Sequence, residues 1–427
     1  MNIQQIHSLF LKCSSISIDT RKIEKNCMFI ALKGERFDAN TFAKEALQNG
    51  AAYVIIDNSE YFIDDRTILV LDSLKALQEL SQYHRIFLGL PIIALTGSNG
   101  KTTTKELISK VLAMKYNVKS TVGNLNNHIG VPLTLLSFTN KTEIGIVEMG
   151  ANHQKEIAFL CEIAKPDYGY ITNFGKAHLE GFGGIEGVIK GKSEMYDYLQ
   201  RNNKVVFVNL DDPIQVKRSS AIKTFSFGTQ SPRANIFIHS VTANPLVTVS
   251  YHEININSHL IGLYNANNLN AAITAGNFFK VPDADIKKAL ENYIPENNRS
   301  QLITKNTNSI ILDAYNANPS SMKVAIGNFL QLENPTKILV LGDMFELGTD
   351  SQNEHENIVK MLSISDNINC YFIGKSFYNT KINTSNFSFF DTFENFSKAF
   401  SQINLKNTSI LIKGSRGMAL ERTLDLI

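Results

Sequence analysis

A short glycine-rich segment carries the residues of this chain with the clearest chemistry. It consists of Thr96, Gly97, Ser98, Asn99, Gly100, Lys101, Thr102 and Thr103. The two glycines leave room for backbone N–H groups to surround a polyphosphate, and Lys101 can neutralise the outer phosphates. The hydroxyl of Thr102 is a suitable ligand for a magnesium ion beside them. The segment therefore predicts a phosphate-binding loop, or P-loop.

The residues on either side of the segment support this prediction. An apolar run at 92–95 predicts a buried strand, and a helical pattern extends from Lys101 to about Met114. The alternative is a glycine-asparagine turn that happens to precede a lysine, but a strand before and a helix after are typical of a P-loop. Leu95 stands where the common pattern G-x-x-x-x-G-K-[ST] has its first glycine, so a generic NTPase assignment is too broad.

Three more polar side chains, Glu148, His178 and Lys192, follow predicted strands in the central part of the chain. A carboxylate at a strand end beside a P-loop is a common magnesium ligand. Taken singly, Glu148 could be a surface acid, His178 a loop histidine and Lys192 an exposed helix lysine. The set is a stronger indication of a site than any member, and Asn124, on a nearby loop, adds an amide donor.

The last third of the chain has three polar clusters where predicted strands end. They are DAYNANP at 313–319, GDMFELG at 342–348 and KGSRG at 413–417. Ligands of an open α/β sheet bind at the carboxyl ends of its strands. The pattern G-x-G-x-x-G is missing, which disfavours a dinucleotide cofactor. Just before this region, Asn265, Asn267 and Asn268 could cap a helix or bind a base edge, and capping is the default interpretation.

Alternating strand and helix patterns position these residues and predict an α/β protein of three domains. Residues 1–88 form a small domain with strands at 17–21, 26–32 and 52–56 and helices at 41–49 and 73–88. Residues 89–299 form a parallel sheet with crossover helices around the P-loop. Residues 300–427 form a Rossmann-like sheet. A polar stretch at 295–300, which contains Arg299, links the last two domains.

Composition limits the class of protein. The chain has 427 residues, a formal net charge of +2, 43% hydrophobic residues and 19% charged residues. This balance argues against a nucleic-acid partner, and no apolar run is long enough to cross a bilayer. The start of the chain has no basic region before a long apolar run, so we expect a cytoplasmic protein. The four cysteines lie far apart, which predicts reduced, packed thiols rather than a zinc site.

Together these motifs resemble those of the Mur ligases, the ATP-dependent amide-forming enzymes of peptidoglycan synthesis. The resemblance covers nearly the whole chain. The shortened P-loop matches the family, and the motifs at 313–319 and 341–348 resemble the branch that adds D-alanyl-D-alanine. The Asp-Asn-Pro-Arg signature of the diaminopimelate-adding branch is missing. The resemblance implies a ligase that joins D-alanyl-D-alanine to UDP-N-acetylmuramoyl-tripeptide through an acyl phosphate, and we expect a monomer.

The resemblance also implies roles for numbered residues. The P-loop would hold the ATP phosphates, with one Mg²⁺ at Thr102 and Glu148. A second Mg²⁺ would bind at His178, supported by a Lys192 that CO₂ has carbamylated. The catalytic set would be Lys101, Glu148, His178 and Lys192. Adenine would face Asn268, the phosphates Arg299 and the ATP ribose Asp313.

Substrate-binding residues are implied on both outer domains. The uridine nucleotide would bind the first domain near Ser17, Thr20, Arg21 and Arg36. From composition alone, Thr20, Arg21 and Arg36 are interpreted as solvated surface. Asn124, Tyr315, Asn316 and Asn318 are the remaining candidates for substrate contacts, the last three from position alone. Because ATP would contact both the central and the last domain, we expect the last domain to close for catalysis.

Other functions remain open at this stage. A folate-polyglutamate ligase or another Mur ligase would use the same scaffold, although the substrate-facing first domain and the YNANP motif disfavour both. A nucleotide-dependent switch would hydrolyse ATP without an amine acceptor. A catalytically silent homologue would have lost parts of the set Lys101, Thr102, Glu148, His178 and Lys192, which is intact here.

Overall fold

The architecture comes from a computed structural model, which describes residues 1–296, 298–334, 336–364 and 368–427. These residues form three main β-sheets, at 16–69, 92–261 and 301–413, and one short two-stranded hairpin. The predicted α/β class with three sheets in succession is therefore confirmed. The boundaries at 88 and 299 stay predictions, and Asn297 of the predicted linker lies outside the described residues.

The first sheet is parallel. In spatial order its strands are Ile16–Ser17, Met28–Ile30, Tyr53–Ile56 and Thr67–Leu69. Lys33–Gly34 and Phe37–Asp38 form the hairpin, the helices are Ile3–Phe10, Ala43–Gln48 and Ser73–Leu88, and the 3₁₀ turns are Thr20–Lys22, Ala39–Phe42 and Ser59–Tyr61. The predicted strand at 17–21 is wrong beyond Ser17. The Asp19 carboxylate accepts the N–H of Arg21, and this local bond turns the chain into a 3₁₀ turn.

The helix Ser73–Leu88 fixes the first domain to the central one. It begins where the Asp72 side chain accepts the N–H of Lys75, and it ends at Gly89, whose φ of +64° suits glycine. Near its end, Arg85 donates to the Ala164 carbonyl at 3.1 Å and to Asp167 Oδ2 at 2.7 Å. Because Arg85 is buried, these bonds are shielded from water and stabilise the contact between the two domains.

The central sheet is mostly parallel. In spatial order its strands are Val118–Ser120, Ile144–Glu148, Ile92–Thr96, Tyr168–Ile171, Val205–Asn209, Lys223–Gly228, Ile236–Ala243, Leu246–Tyr251 and Ile254–Ile261. The helices around it are Lys101–Leu112, Gly130–Leu136, Glu156–Ala164, Leu179–Phe182, Ile185–Arg201, Pro213–Ser219, Ala266–Phe278 and Asp283–Glu291, with a 3₁₀ turn at Leu263–Asn265. The last three strands pair antiparallel. The predicted parallel sheet did not include these antiparallel strands, which alternate buried and less buried residues and leave one face to solvent.

The strand Ile92–Thr96 lies at the centre of the core, and all five of its residues are buried. Ile93 and Leu95 pack on one side of the sheet, in a cluster that includes residues of the helices Lys101–Leu112 and Ala266–Phe278. Ile92 and Ala94 pack on the other side. Successive side chains of a strand point to opposite faces, so one short strand anchors both layers and fixes where the P-loop begins.

The last sheet has one antiparallel edge strand and is otherwise parallel. In spatial order its strands are Gln301–Lys305, Asn308–Asp313, Ser409–Lys413, Lys337–Gly342, Asn369–Ile373 and Phe387–Phe390. The helices are Pro319–Leu330, Ser351–Leu362, Lys375–Tyr378 and Phe393–Phe400, with 3₁₀ turns at Gly348–Asp350, Arg416–Met418 and Leu420–Leu426. Strands Asn308–Asp313 and Ser409–Lys413 are neighbours, so the first and third polar clusters meet at one sheet edge.

The cysteines agree with the prediction of reduced thiols. All four are free, and Cys27, Cys161 and Cys370 are buried. Burial raises the pKa of the Cys370 thiol to about 12, which keeps it protonated and unreactive. In the part of the chain that the structure describes, no helix combines the length and apolar character needed to cross a membrane.

Candidate active site

A cleft of about 770 Å³ lies between the central and last domains. The predicted residues that line it are Ser98, Asn99, Gly100, Lys101, Thr102, Thr103, Asn124, Glu148, His178, Asn268, Arg299, Asp313, Tyr315 and Asn316. Within the described residues, the lining does not include Thr96, Gly97, Lys192, Asn318 or the four predicted residues of the first domain. The structure thus gathers most of the predicted nucleotide-side residues into one cavity.

The backbone of the P-loop requires both of its glycines. Gly97 and Gly100 have φ angles of +140° and +79°. A Cβ at Gly97 would lie 2.0 Å from Thr172 Oγ1, and one at Gly100 would lie 2.6 Å from Asn268 Oδ1. The helix Lys101–Leu112 then starts without a side-chain cap, which leaves its first N–H groups available to a ligand. These residues line the cleft, so the positive end of the helix dipole faces it. This arrangement suits a polyphosphate.

Lys101 places its ammonium group over the loop. Its Nζ donates to the Gly97 carbonyl at 2.7 Å. Burial lowers the pKa of Lys101, the carboxylate of Glu148 opposes that change, and the charge of Arg299 adds to it. Lys101 is half-buried, and its ammonium group donates to backbone carbonyls of the loop, so it can attract an anion in the cleft.

Both carboxylate oxygens of Glu148 accept hydrogen bonds in the site. Its Oε2 accepts from Thr102 Oγ1 at 2.9 Å, and its Oε1 accepts from Asn126 Nδ2 at 2.8 Å. The N–H of Glu148 donates to Thr121 Oγ1 at 2.9 Å, which fixes the end of the strand. Two oxygen ligands of the kind that Mg²⁺ prefers therefore lie side by side at the P-loop. The sequence analysis missed Asn126, although it chose Asn124, two residues earlier on the same loop.

His178 lines the cleft and is half-buried, whereas Lys192 lies deeper in the central domain. His178 contacts the Glu346 carboxylate of the last domain through Nδ1. Burial lowers the pKa of His178, with Lys101 and Lys192 adding to the decrease and Glu346 opposing it.

Lys192 is 0% exposed, so the interpretation as an exposed helix lysine is wrong. Its Nζ donates to the Ala151 carbonyl at 3.2 Å and lies 5.0 Å from the centre of the Phe182 ring. Burial, and then the charge of Lys101, holds the pKa of Lys192 well below its usual value. The described residues contain no group of three or more His, Cys, Asp or Glu that could hold a metal.

The linker at 295–300 and the last domain contribute a cation and a carboxylate to the cleft. The Arg299 guanidinium lies 3.6 Å from the centre of the Tyr315 ring, and its buried Nε has no hydrogen-bond partner among the residues that the structure describes. Asp313 accepts from the N–H of Ser300 at 3.1 Å and from Lys413 Nζ at 2.6 Å. Lys413 was not among the predicted site residues, although the KGSRG cluster that contains it was noted. Its pairing with Asp313 needs the contact between two strands, which a single sequence does not show.

Three asparagines have structural partners. Asn268 accepts from Thr104 Oγ1 at 2.9 Å and donates to Asn265 Oδ1 at 2.8 Å. Asn265 is the N-cap residue of Ala266–Phe278, but its side chain makes no capping bond, so the capping interpretation is wrong for Asn265. Asn318 does cap Pro319–Leu330, and its Nδ2 donates to Asn99 Oδ1 across the domains at 2.7 Å.

The first-domain candidates lie on a separate surface. Ser17 is buried and donates its hydroxyl to the Asp19 carbonyl, whereas Arg21 and Arg36 are exposed. Arg21 pairs with the Asp19 carboxylate at 2.8 Å, and this contact lowers the pKa of Asp19 to about 2. The structure does not bring these residues to the cleft, so their role stays a prediction.

Comparison with protein families gives three matches in the order of the three sheets. The catalytic domain of the Mur ligase family matches residues 12–85. The Mur ligase middle domain matches residues 95–276, and the Mur ligase glutamate ligase domain matches residues 298–416. The three matches together span most of the chain.

Similar proteins match over nearly their whole length. The UDP-N-acetylmuramoyl-tripeptide–D-alanyl-D-alanine ligase of Bacillus subtilis is 36% identical over 428 residues, which cover 96% of this chain and 93% of that protein. A crystal structure of MurF from Acinetobacter baumannii has a TM-score of 0.88 at 30% identity, covering 100% and 98% of the two chains. The MurF ligase from Thermotoga maritima, in complex with ADP, has a TM-score of 0.85 at 27% identity, covering 98% and 97%.

Proposed function

The chain belongs to the Mur ligase family, and we propose that it joins D-alanyl-D-alanine to UDP-N-acetylmuramoyl-tripeptide with ATP as the energy source. The products are ADP, phosphate and the UDP-N-acetylmuramoyl-pentapeptide precursor of peptidoglycan. One observation supports the cleft as the site of this reaction. The paired oxygens of Thr102 and Glu148 adjoin the P-loop, and Arg299 and Asp313 line the same cleft from the last domain's side.

The chemistry begins when the terminal carboxylate of the tripeptide attacks the γ-phosphorus of ATP. A bond forms between a carboxylate oxygen and phosphorus, the bond to the bridging oxygen breaks, and ADP leaves. The dipeptide amine then attacks the acyl carbon of the acyl phosphate, phosphate leaves, and the nitrogen loses a proton. The main difficulty is charge, because an anion must approach a polyphosphate. Lys101 and Arg299 offset this repulsion from opposite sides of the cleft.

The residues present fit the magnesium ions that this chemistry needs. Thr102 and Glu148 offer adjacent oxygen ligands for one ion, and His178 offers a nitrogen for the second. When bound, Mg²⁺ supplies positive charge that offsets the charge on the transferring phosphoryl group. Burial favours the neutral amine of Lys192, which is the form that CO₂ carbamylates. A carbamylated Lys192 would then support the second ion in place of a carboxylate.

The nucleotide and substrates divide between the domains. The ATP phosphates lie along residues 96–103, and Asp313 binds the ribose. The side chain of Asn268 already bonds Thr104 and Asn265, so its first role is to hold the shape of the P-loop. It contacts adenine through whichever part of its amide group these two bonds leave unoccupied. The uridine nucleotide occupies the first domain near Arg21 and Arg36.

The dipeptide occupies the cleft beside Tyr315 and Asn316. Loss of dipeptide affinity with retained ATP affinity in Asn316→Ala is the expected result for this placement. The partners are therefore small molecules. We also propose a monomer, and the use of ATP and a UDP-linked substrate favours the cytoplasm.

Phosphate release tests the proposal. The protein, ATP and Mg²⁺ are mixed with UDP-N-acetylmuramoyl-tripeptide, and D-alanyl-D-alanine or single amino acids are added in turn. Release that requires the dipeptide is the expected result. Release that is indifferent to any amine would favour the nucleotide-dependent switch, and release that requires a single amino acid would favour another ligase on this scaffold.

A further inference from the structure

Loop 172–178 of the central domain is hydrogen-bonded to the P-loop along one side. Thr172 Oγ1 donates to the Asn99 carbonyl at 2.5 Å, and Asn173 Nδ2 donates to the same oxygen at 2.9 Å. In return, the N–H of Ser98 donates to the Asn173 carbonyl at 3.1 Å. Bonds in both directions tie the two loops together, so a change in the position of one displaces the other.

The same loop contacts the last domain on its other side. The N–H of Lys176 donates to Ser320 Oγ at 2.9 Å, and its Nζ donates to Glu354 Oε1 at 2.6 Å. His178 contacts Glu346 two residues further on. Loop 172–178 therefore lies between the nucleotide-binding segment and the domain that must close over it.

Glu354 has an unusual position for a carboxylate. Its side chain, on the helix Ser351–Leu362, is only 4% exposed, whereas that of Lys176 is 47% exposed. Glu354 Oε2 accepts no hydrogen bond from the described residues, and Lys323 Nζ, in the same domain, lies 3.8 Å from it. A buried carboxylate needs a partner at hydrogen-bond distance, and here that partner comes from the other domain.

We propose that Lys176 is a positioning residue that couples the P-loop to closure of the last domain through its ion pair with Glu354. A nucleotide in the P-loop fixes loop 172–178, and the fixed loop presents Lys176 to Glu354. The ion pair then holds Arg299 and Asp313 over the phosphates. The inference rests on the proposed function only where it concerns turnover, because the coupling itself is a property of the two domains.

Small-angle scattering and kinetics on the full-length protein test this coupling. The radius of gyration is measured with and without a non-hydrolysable ATP analogue and Mg²⁺, for wild type, Lys176→Met, Lys176→Arg and Glu354→Gln. We expect the wild type to contract and Lys176→Met to contract much less, with kcat/KM reduced by at least about tenfold. We expect affinity for the analogue to change little, because Lys176 lies on the far side of the loop. Lys176→Arg keeps the charge and should restore contraction and rate.

The controls separate coupling from a loss of fold. Glu356→Gln changes an exposed carboxylate on the same helix and should behave as wild type. The double variant of Lys176→Met and Glu354→Gln should be no worse than the poorer single variant, because both remove one pair. Wild-type contraction and rate in Lys176→Met, or strictly additive losses in the double variant, would overturn the proposal. If no ligase activity is found, the contraction measurements still decide it.

Discussion

Replacing Gly97 by alanine should inactivate the enzyme while leaving most of its fold intact. A Cβ at this position would lie 2.0 Å from Thr172 Oγ1 and 3.0 Å from the Thr172 backbone nitrogen, whereas ordinary contact begins near 3.4 Å. To relieve both contacts, the Thr172 hydroxyl must turn away and lose its bond to the Asn99 carbonyl, and the two loops must separate by about 0.4 Å. A misplacement of about 1 Å costs about 10²-fold in rate. The smaller shift here is combined with a lost hydrogen bond and a strained positive φ, so we predict a loss of about 10²-fold in kcat/KM, or about 2.7 kcal/mol.

The assay is phosphate release with both substrates present, accompanied by thermal unfolding. Gly89→Ala is the matched control, because Gly89 also has a positive φ, +64°, but a Cβ there meets nothing within 4 Å. We expect Gly89→Ala to lose about 1 kcal/mol of stability through its backbone conformation alone and to keep its activity. Wild-type kcat/KM in Gly97→Ala would refute the argument that this close approach shapes the phosphate site.

Three further predictions concern other contacts. Asn126→Ala removes the donor to Glu148 Oε1 and should slow phosphate release by about 10- to 100-fold. The thermal midpoint should fall only slightly, because Thr102 still donates to Oε2. Lys413→Met leaves Asp313 without its buried partner and should lower the free energy of unfolding in denaturant by about 3 kcal/mol. Burial and His84 lower the pKa of His7 to about 4, so the unfolded chain binds more protons below pH 6.5 and stability falls as the pH drops towards 4. His7→Phe should remove roughly 3 kcal/mol of that fall.

Each of these predictions has a result that contradicts it. Full activity in Asn126→Ala would show that Glu148 is held well enough by Thr102 alone. Adding Asp313→Leu to Lys413→Met should recover part of the lost stability, and no recovery would mean that the loss does not come from an unpaired carboxylate. Equal pH dependence of unfolding in wild type and His7→Phe would place the acid sensitivity elsewhere.

Local patterns predicted much of this fold because they depend on neighbouring residues. The strand Ile92–Thr96, the helix Lys101–Leu112 and the alternating elements of the last domain follow from runs of apolar residues and their period. The same reasoning failed at 17–21, where the pattern predicted a strand. The Asp19 side chain accepts the N–H of Arg21 there and favours a 3₁₀ turn instead. It also missed the antiparallel strands Leu246–Tyr251 and Ile254–Ile261, because strand direction depends on which segments pair.

The site could be predicted only in part for a related reason. The P-loop is contiguous in sequence, and its glycines have a local cause. The bonds from Asn126 to Glu148 and from Lys413 to Asp313 join residues 22 and 100 positions apart, so no pattern of neighbouring residues predicts them. The burial of Lys192 likewise depends on tertiary contacts. The residue pattern of its own helix did not predict a place in the site, and only the family resemblance did.

The transfer of an isotope from substrate to phosphate tests the proposed reaction most directly. UDP-N-acetylmuramoyl-tripeptide labelled with ¹⁸O in its terminal carboxylate is converted with ATP, Mg²⁺ and D-alanyl-D-alanine, and the products are analysed by mass spectrometry. Attack of that carboxylate on the γ-phosphorus predicts that one ¹⁸O atom appears in the released phosphate and that the nucleotide-sugar product gains the dipeptide. Phosphate without ¹⁸O, formed while the nucleotide-sugar keeps its original mass, would contradict the ligase assignment.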